Sequence, residues 1–496
     1  MGSITIRVMD ESLFSSLTSR PRKIAGIVAL AITMSSAAVS SQPEALNMRL
    51  VGHHDLQGRW SYQPIPHQYG ARWLLFVGHH AGEALNQQTG NVEKNGMSIL
   101  DVTDPTAPVL LHHEPPTGEQ ANGTQHVQVC DGSVLPNANP DRIYALRTNG
   151  QLGQEILDVT DPGARAFVTT ILTTGRTDDG RRQTHKNWWD CETGIGYLLS
   201  TVEGWRVPRV LQAYNLSNPE NPRHIRDFAL VGMQPGGEGD FSDAIGLHQP
   251  VVVGNRMYLG YGSGTNGALQ ILDRDKFLNG DPSVEDPFAP TPENLLYPQI
   301  ARLDMPSFWG SHTVKPILGI EIADYADNRD QRVRDFLVVP SESGPARCQE
   351  TRHAVFFVDI TEEDKPFPVS NFQVPEEPGD FCNRGGRFGP HAVHDSFHPA
   401  FLKKIVLVSY FNAGVRAVDI RDPFRPQEVA YFIPQVTEAT EPTCVEIDGV
   451  EECKVAIQTN NVEIDDRGYI YLLDRRGTGL HIVALTGPAH DIVGLP

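Results

Sequence analysis

Positive charge is scarce in this chain. Its 41 Lys and Arg stand against 61 Asp and Glu, a formal net charge of −20. A surface of that sign has no electrostatic reason to bind nucleic acid or an anionic bilayer, which attract clustered Lys and Arg. Beyond residue 40 no stretch is apolar enough to cross a membrane as a helix, so no transmembrane segment is expected. Cysteine is sparse, six in 496 residues, and no pair has the C-x-x-C spacing of a structural zinc site. The P-loop, the nucleophile elbow of serine hydrolases and the H-E-x-x-H helix of zincins are also absent. Glycine (45) and proline (37) are plentiful, and they break the chain too often for a mainly helical protein.

The first forty residues have their own composition. Arg20, Arg22 and Lys23 precede an apolar run from Ile24 to Met34, followed by small residues through Ser40. Charged, apolar, then small is the order of a secretory signal peptide, with a cut expected near Ser40. The reading is a signal peptide over 1–40, one domain over 41–496, and a secreted or periplasmic product.

One phrase recurs through the rest: apolar residues, Asp or Asn, a second Asp or Asn, then Pro. It reads Ile99-Leu100-Asp101-Val102-Thr103-Asp104-Pro105, then Ile156-Leu157-Asp158-Val159-Thr160-Asp161-Pro162, then Tyr214-Asn215-Leu216-Ser217-Asn218-Pro219. Shorter copies lie at Ile271-Leu272-Asp273 and Phe357-Val358-Asp359-Ile360, a full one at Ala417-Val418-Asp419-Ile420-Arg421-Asp422-Pro423, and a degenerate one around Ala484. Counted on the first Asp or Asn, the spacings are 57, 57, 58, 86, 60 and 65. A strand that ends in an Asp-capped, Pro-fixed turn, with a short strand after it and two before, makes four strands per repeat. Seven such repeats predict an all-β, seven-bladed β-propeller. The last repeat lacks an outer strand, which Met48 to Gly52 can supply to close the ring. The inner strand of blade one is expected near Trp73 to Gly78.

The phrase resembles the LVIVD repeat of exported bacterial and archaeal propellers over about residues 48 to 485. That resemblance implies the architecture and little about function. Export makes the cysteines disulfide candidates. Six cysteines allow fifteen connectivities. Cys444 and Cys453 fit a local staple, and the repeat favours Cys130 with Cys191 and Cys348 with Cys382.

Histidines keep step with the repeat. At the start of the inner strand, blades two to six offer His126, His185, His248, His312 and His391, and blade seven offers Asn461. Equivalent inner-strand positions form a ring around a propeller's axis, so five imidazoles are expected at one level of the bore. Clustered imidazoles are costly unpaired and repel when protonated; a metal ion resolves both. Imidazole ligation suits Cu or Fe, with Zn or Mn as alternatives. Glu463 lies two residues past Asn461, on the same strand face, and is the candidate for a catalytic base. Trp188 and Trp309, with Asn461, are candidates to wall a pocket for an apolar or aromatic small molecule. The doublets His53-His54, His79-His80 and His112-His113 are read as surface residues. The long insertions at 78–96, 276–310, 339–353, 375–390 and 435–457 are expected over the face where the histidines start.

An axial His site is similar to those of the selenium-binding protein/methanethiol oxidase group and the carotenoid-cleaving oxygenases. The resemblance implies a metal-dependent oxidoreductase. Two alternatives stand beside it: a Lewis-acid lyase or hydrolase, and a non-catalytic ligand- or protein-binding propeller whose histidines are structural.

Overall fold

The computed structural model describes residues 43–117, 123–176, 180, 182–239, 246–264, 266–322 and 332–495. The expected signal segment lies outside the described residues. Seven antiparallel four-stranded sheets follow one another along the chain as blades of a β-propeller. Blade one runs from inner to outer edge through Ser61–Tyr69, Arg72–His79, Met97–Asp101 and Val109–Glu114. Blades two to five repeat this order without interruption.

The recurring phrase forms the end of each blade's third strand. Asp101 accepts the N–H of Thr103 at 2.9 Å, Asp158 that of Thr160 at 3.0 Å, and Asp419 that of Arg421 at 3.0 Å. The second acidic residue repeats the device: Asp104 accepts from Thr106 at 2.9 Å and Asp422 from Phe424 at 3.1 Å. These side chains stand in for turn hydrogen bonds, which explains why Asp and Asn recur there. In blade four the same position caps a helix instead. Asp273 accepts the N–H of Lys276 at the start of Arg274–Asn279.

Apolar residues from strands two and three of neighbouring blades pack face to face. Leu74, Phe76 and Ile99 of blade one, for instance, pack with Ala145 and Leu157 of blade two. Burial between blades leaves the inner strands' axial residues free to be polar, because the apolar core lies elsewhere.

The ring closes as expected. Met48–His54 pairs with Leu480–Leu485 as the outer strand of blade seven. A further N-terminal strand, Glu44–Leu46, adds to Gln427–Ile433 of blade six. Three disulfides join Cys130 to Cys191, Cys348 to Cys382 and Cys444 to Cys453.

Two expectations need correction. The inner strand of blade one is Ser61–Tyr69, and the Trp73 to Gly78 run belongs to its second strand. The apolar run drew attention to the second strand because that strand is buried on both faces, whereas the inner strand carries Gln63, Pro64 and Pro66. The 276–310 insertion sits mainly on the opposite face. Its helices, Arg274–Asn279 and Pro292–Leu296, precede strand Gln299–Asp304 and so fill the turn between strands three and four. The other four insertions enter an inner strand or join strands two and three, on the face where the histidines begin.

Candidate functional site

In three blades the inner strand starts with a bulge, where the register gains one residue over the second strand. The register shifts lie at Ser61/Pro64, Leu247/Gln249 and Thr459/Val462 in blades one, four and seven. Aligned on the bulge, the blades present two layers to the bore. The upper layer is Tyr62, Gln125, His185, His248, His312, His391 and Asn460. The lower layer is Gln63, His126, Lys186, Gln249, Thr313, Ala392 and Asn461. His126 falls in the lower layer because its carbonyl accepts from Thr148, as that of Ala392 accepts from Ser409. The residue opposite the bulge is glycine in two blades. A Cβ on Gly78 would lie 2.5 Å from the Gln125 carbonyl oxygen, and one on Gly260 would lie 2.5 Å from that of Ser311.

The upper layer gathers four of the five expected imidazoles. Nε2 of His185 lies 2.7 Å from Nε2 of His248. The His248 and His312 rings are 3.5 Å apart, and those of His312 and His391 are 4.5 Å apart. Tyr62 hydroxyl reaches His185 Nε2 at 3.3 Å, and Gln125 Oε1 lies 2.9 Å from His185 Nδ1. A carboxylate completes the cluster. Glu342, in the loop after strand Val333–Pro340, lies 3.8 Å from His312 Nε2 and 3.7 Å from His391 Nε2. Donor atoms of His248, His312 and Glu342 lie within 4.8 Å of one another. Two ligands of one first-row ion are at most about 4.2 Å apart, twice the bond length, so this grouping needs only a small contraction.

Two facts bear on what this cluster can bind. Among the described residues, His248 Nδ1 and His312 Nε2 are buried without a hydrogen-bond partner, as is His126 Nε2 in the layer below. Burial, reinforced by neighbouring cations and imidazoles, holds His185, His248 and His312 well below the usual imidazole range. His391 is pushed down to about 3 by burial, with Glu342 opposing. These rings are neutral at pH 7 and present lone pairs, the form that binds metal. Burial raises the Glu342 carboxyl, but His391, Arg387, Arg475 and Arg209 outweigh it and hold it ionised.

The lower layer is a separate polar network. Lys186 Nζ donates to Gln249 Oε1 at 2.7 Å, and Gln249 donates to Asp395 Oδ1 at 2.8 Å. His126 Nε2 lies 3.9 Å from Asp395 Oδ2. Glu463 accepts the N–H groups of Asp395 and Ser396. Lys315, which is buried, donates to the carbonyls of His394 and Ser396 at 3.0 and 2.6 Å.

A cavity opens at each end of the bore. One, of about 600 Å³, lies over the imidazoles and is lined by His80, Gln125, Arg209, Arg387, Gln458 and Arg475 among others. Its rim includes Thr443 to Val445 of the hairpin stapled by Cys444–Cys453, which Arg347 ties to the neighbouring insertion through Glu452. The other, of about 720 Å³, is lined by Trp188, Phe397, Asp395, Glu463, His67 and Asp131 among others.

The expected residues therefore divide. His185, His248, His312 and His391 come together. His126 faces Asp395 in the layer below; the sequence Gln125-His126 hides which residue takes the bulge. Glu463 lies with His126 and not against the imidazole cluster. Asn461 meets the Gln63 side chain at 2.6 Å in the same lower layer. Trp188 faces the far cavity, and Trp309 packs on Phe356 with its indole N–H on the Arg352 carbonyl, lining neither cavity.

Sequence reasoning missed Glu342, Tyr62 and His80. Glu342 carried no repeat signal, because it sits on one blade's loop. The doublets are not all superficial: His79 and His113 are buried on either side of Ser98. His80 approaches Gln125 at 3.2 Å and borders the upper cavity.

The fold is that of a seven-bladed β-propeller. No protein-family model matches the chain, and no curated protein matches it by sequence. Among solved structures, it is similar to the computationally designed protein Ika8, with 8% identity, a TM-score of 0.43, and 88% of this chain and 100% of that chain covered. It is similar to the β-propeller domain of Cps50 (Swd1) from Myceliophteria thermophila, with 10% identity, a TM-score of 0.43, and coverage of 85% and 99%. A protein from Lactobacillus plantarum gives 10% identity, a TM-score of 0.40, and coverage of 79% and 100%.

Proposed function

We propose that this protein is an exported metal-dependent oxidoreductase whose ion is held on the propeller axis by His248, His312 and Glu342, with His185 and His391 beside them. The observation that carries this reading is a pair of buried imidazole nitrogens, without a hydrogen-bond partner among the described residues, in a cluster that also holds a carboxylate. An unpaired buried polar atom costs about 1–3 kcal/mol, which an ion bound to these two nitrogens would offset.

Two imidazoles and one carboxylate with open positions form the donor set of non-haem iron(II) sites, so iron is favoured over copper. Bound there, iron would supply redox chemistry. The chain's own residues would contribute a buried surround and the hydrogen-bonding groups of Tyr62 and Gln125. The carboxylate equally suits zinc or manganese, which would make the site a Lewis acid.

Export rests on the N-terminal pattern and the three disulfides, which persist in oxidising compartments. Among the described residues no helix is long and apolar enough to cross a membrane. The likeness of the repeat phrase to LVIVD propellers and of the axial histidines to metal-bearing propellers belongs to the same proposal.

Elemental analysis of the purified chain tests it. About one equivalent of a first-row metal, or its uptake on anaerobic titration with iron(II), is the expected result. A chain that holds none and takes up none is a binding propeller.

A further inference from the structure

The cavity over the imidazoles runs against the charge of the molecule that contains it. The chain is strongly acidic, at −20, yet Arg182, Arg209, Arg387, Arg475 and Arg476 all line this one cavity and, among the described residues, no Asp or Glu does. Nearby carboxylates are few: Glu342 is shared, with Arg387 at 2.9 Å, Arg475 at 3.9 Å and two imidazoles closer than 4 Å, and Glu441 and Asp474 act on Arg476. These three leave the five guanidinium groups in excess. Among the described residues, Arg475 Nη1 is buried with no hydrogen-bond partner, and Arg209 has only the neutral Gln183 side chain, at 3.0 Å, as a hydrogen-bond acceptor.

Like charges gathered in a concave, partly desolvated site repel and raise the energy of the empty protein, unless a counter-charge enters. Arginine is the side chain best matched to such a guest, since its planar fork meets carboxylate and phosphate oxygens two at a time. The rest of the lining includes further polar side chains, Gln125, Thr148, Gln183, Thr184 and Gln458, beside apolar residues such as Trp60 and Val445. The volume, about 600 Å³, suits a small molecule rather than a peptide strand or polymer.

We propose that this cavity receives a compact polyanion, a small molecule carrying two or more carboxylate or phosphate groups, and holds it over the imidazole cluster. The substrate is then anionic, not the apolar or aromatic molecule that the tryptophans suggested. The proposal names the substrate class for the metal site above, and it rests on that reading for any chemistry after binding. Binding itself depends only on the arginines.

Calorimetric titration of the full chain with inorganic phosphate, pyrophosphate and citrate, at low and at high salt, tests it. Metal content is measured on the same samples. Pyrophosphate or citrate should bind more tightly than phosphate, more weakly as salt rises, and about tenfold or more weakly after Arg209→Gln with Arg475→Gln. Tighter binding of pyrophosphate than citrate identifies phosphate as the group read, and the reverse identifies carboxylate. The second pair, Arg182→Gln with Arg476→Gln, serves if the first does not fold. No binding of any anion at low salt, or equal binding by wild type and both folded pairs, overturns the proposal. Anion binding by a chain that takes up no metal leaves this inference standing and removes the metal reading instead.

Discussion

Nε2 of His185 and Nε2 of His248 face each other at 2.7 Å in the bore. Only one hydrogen fits between them, so one of the two nitrogens is a bare lone pair. Protonating both rings would set two cations in contact, and burial already disfavours the first. Beside them Glu342 supplies the negative charge that two neutral imidazoles lack.

The first prediction comes from that arrangement. Glu342→Gln keeps the shape and removes the charge, and His312→Ala removes a ligand. Each should lower iron(II) affinity by about tenfold or more, as loss of one ligand does. The circular dichroism of the folded chain should stay unchanged, because the blade cores hold neither residue. Stoichiometric metal in both variants would show that the ion, if present, sits elsewhere.

A second prediction separates the two layers. His126→Ala should leave metal content unchanged while lowering the unfolding free energy by about 1–3 kcal/mol, the cost of stranding buried polar groups. Asp395 and the Asn187 N–H, which reaches His126 Nδ1 at 3.2 Å, lose a partner. Metal loss in this variant equal to that of His312→Ala would put both histidines in one site.

The fold was legible in the sequence because its signal is periodic. Asp101, Asp158, Asn215 and Asp419 recur for a local reason, the capped turn, and local chemistry repeats with the blade. The level at which each histidine sits was legible in four blades and not in blade two. A bulge shifts the register by one residue, and Gln125-His126 offers a polar residue on either side of that shift. Glu342 was invisible for a different reason: a single loop residue has no period, and only the path of the chain brings it to His312 and His391. The cationic cavity was equally hidden, since its arginines come from blades three, six and seven and the loops that lead into them.

The third prediction concerns the disulfides. Cys130–Cys191 closes a separation of 61 residues between the inner strands of blades two and three. Cys444–Cys453 closes only 9, within one hairpin at the cavity rim. In the chain-entropy account, the longer loop contributes about 4 kcal/mol and the shorter about 2.5 kcal/mol. Replacing both cysteines of each pair by serine should therefore lower the melting temperature more for Cys130/Cys191. The Cys444/Cys453 double variant should instead become sensitive to proteolysis within the hairpin. Equal melting temperatures for the two double variants would count against this.

The last prediction is a pH dependence at the far end of the bore. Burial and Asp395 push the Glu463 carboxyl up to about 7 from 4.5, against the pull of the Asp395 and Ser396 N–H groups and of Lys315. The folded chain therefore holds this proton more tightly than the unfolded chain does. The stabilisation is full below about pH 4.5 and is lost as pH rises through 7. Glu463→Gln carries no proton to lose, and its amide oxygen can still accept the Asp395 N–H. The buried imidazoles titrate alike in wild type and variant, so the difference between the two isolates Glu463. Wild-type stability relative to Glu463→Gln, read from denaturant midpoints at pH 5, 6, 7 and 8, should fall steadily across that range. Parallel curves would mean that Glu463 is ionised at every one of these pH values, held so by Lys315 and the two backbone N–H groups.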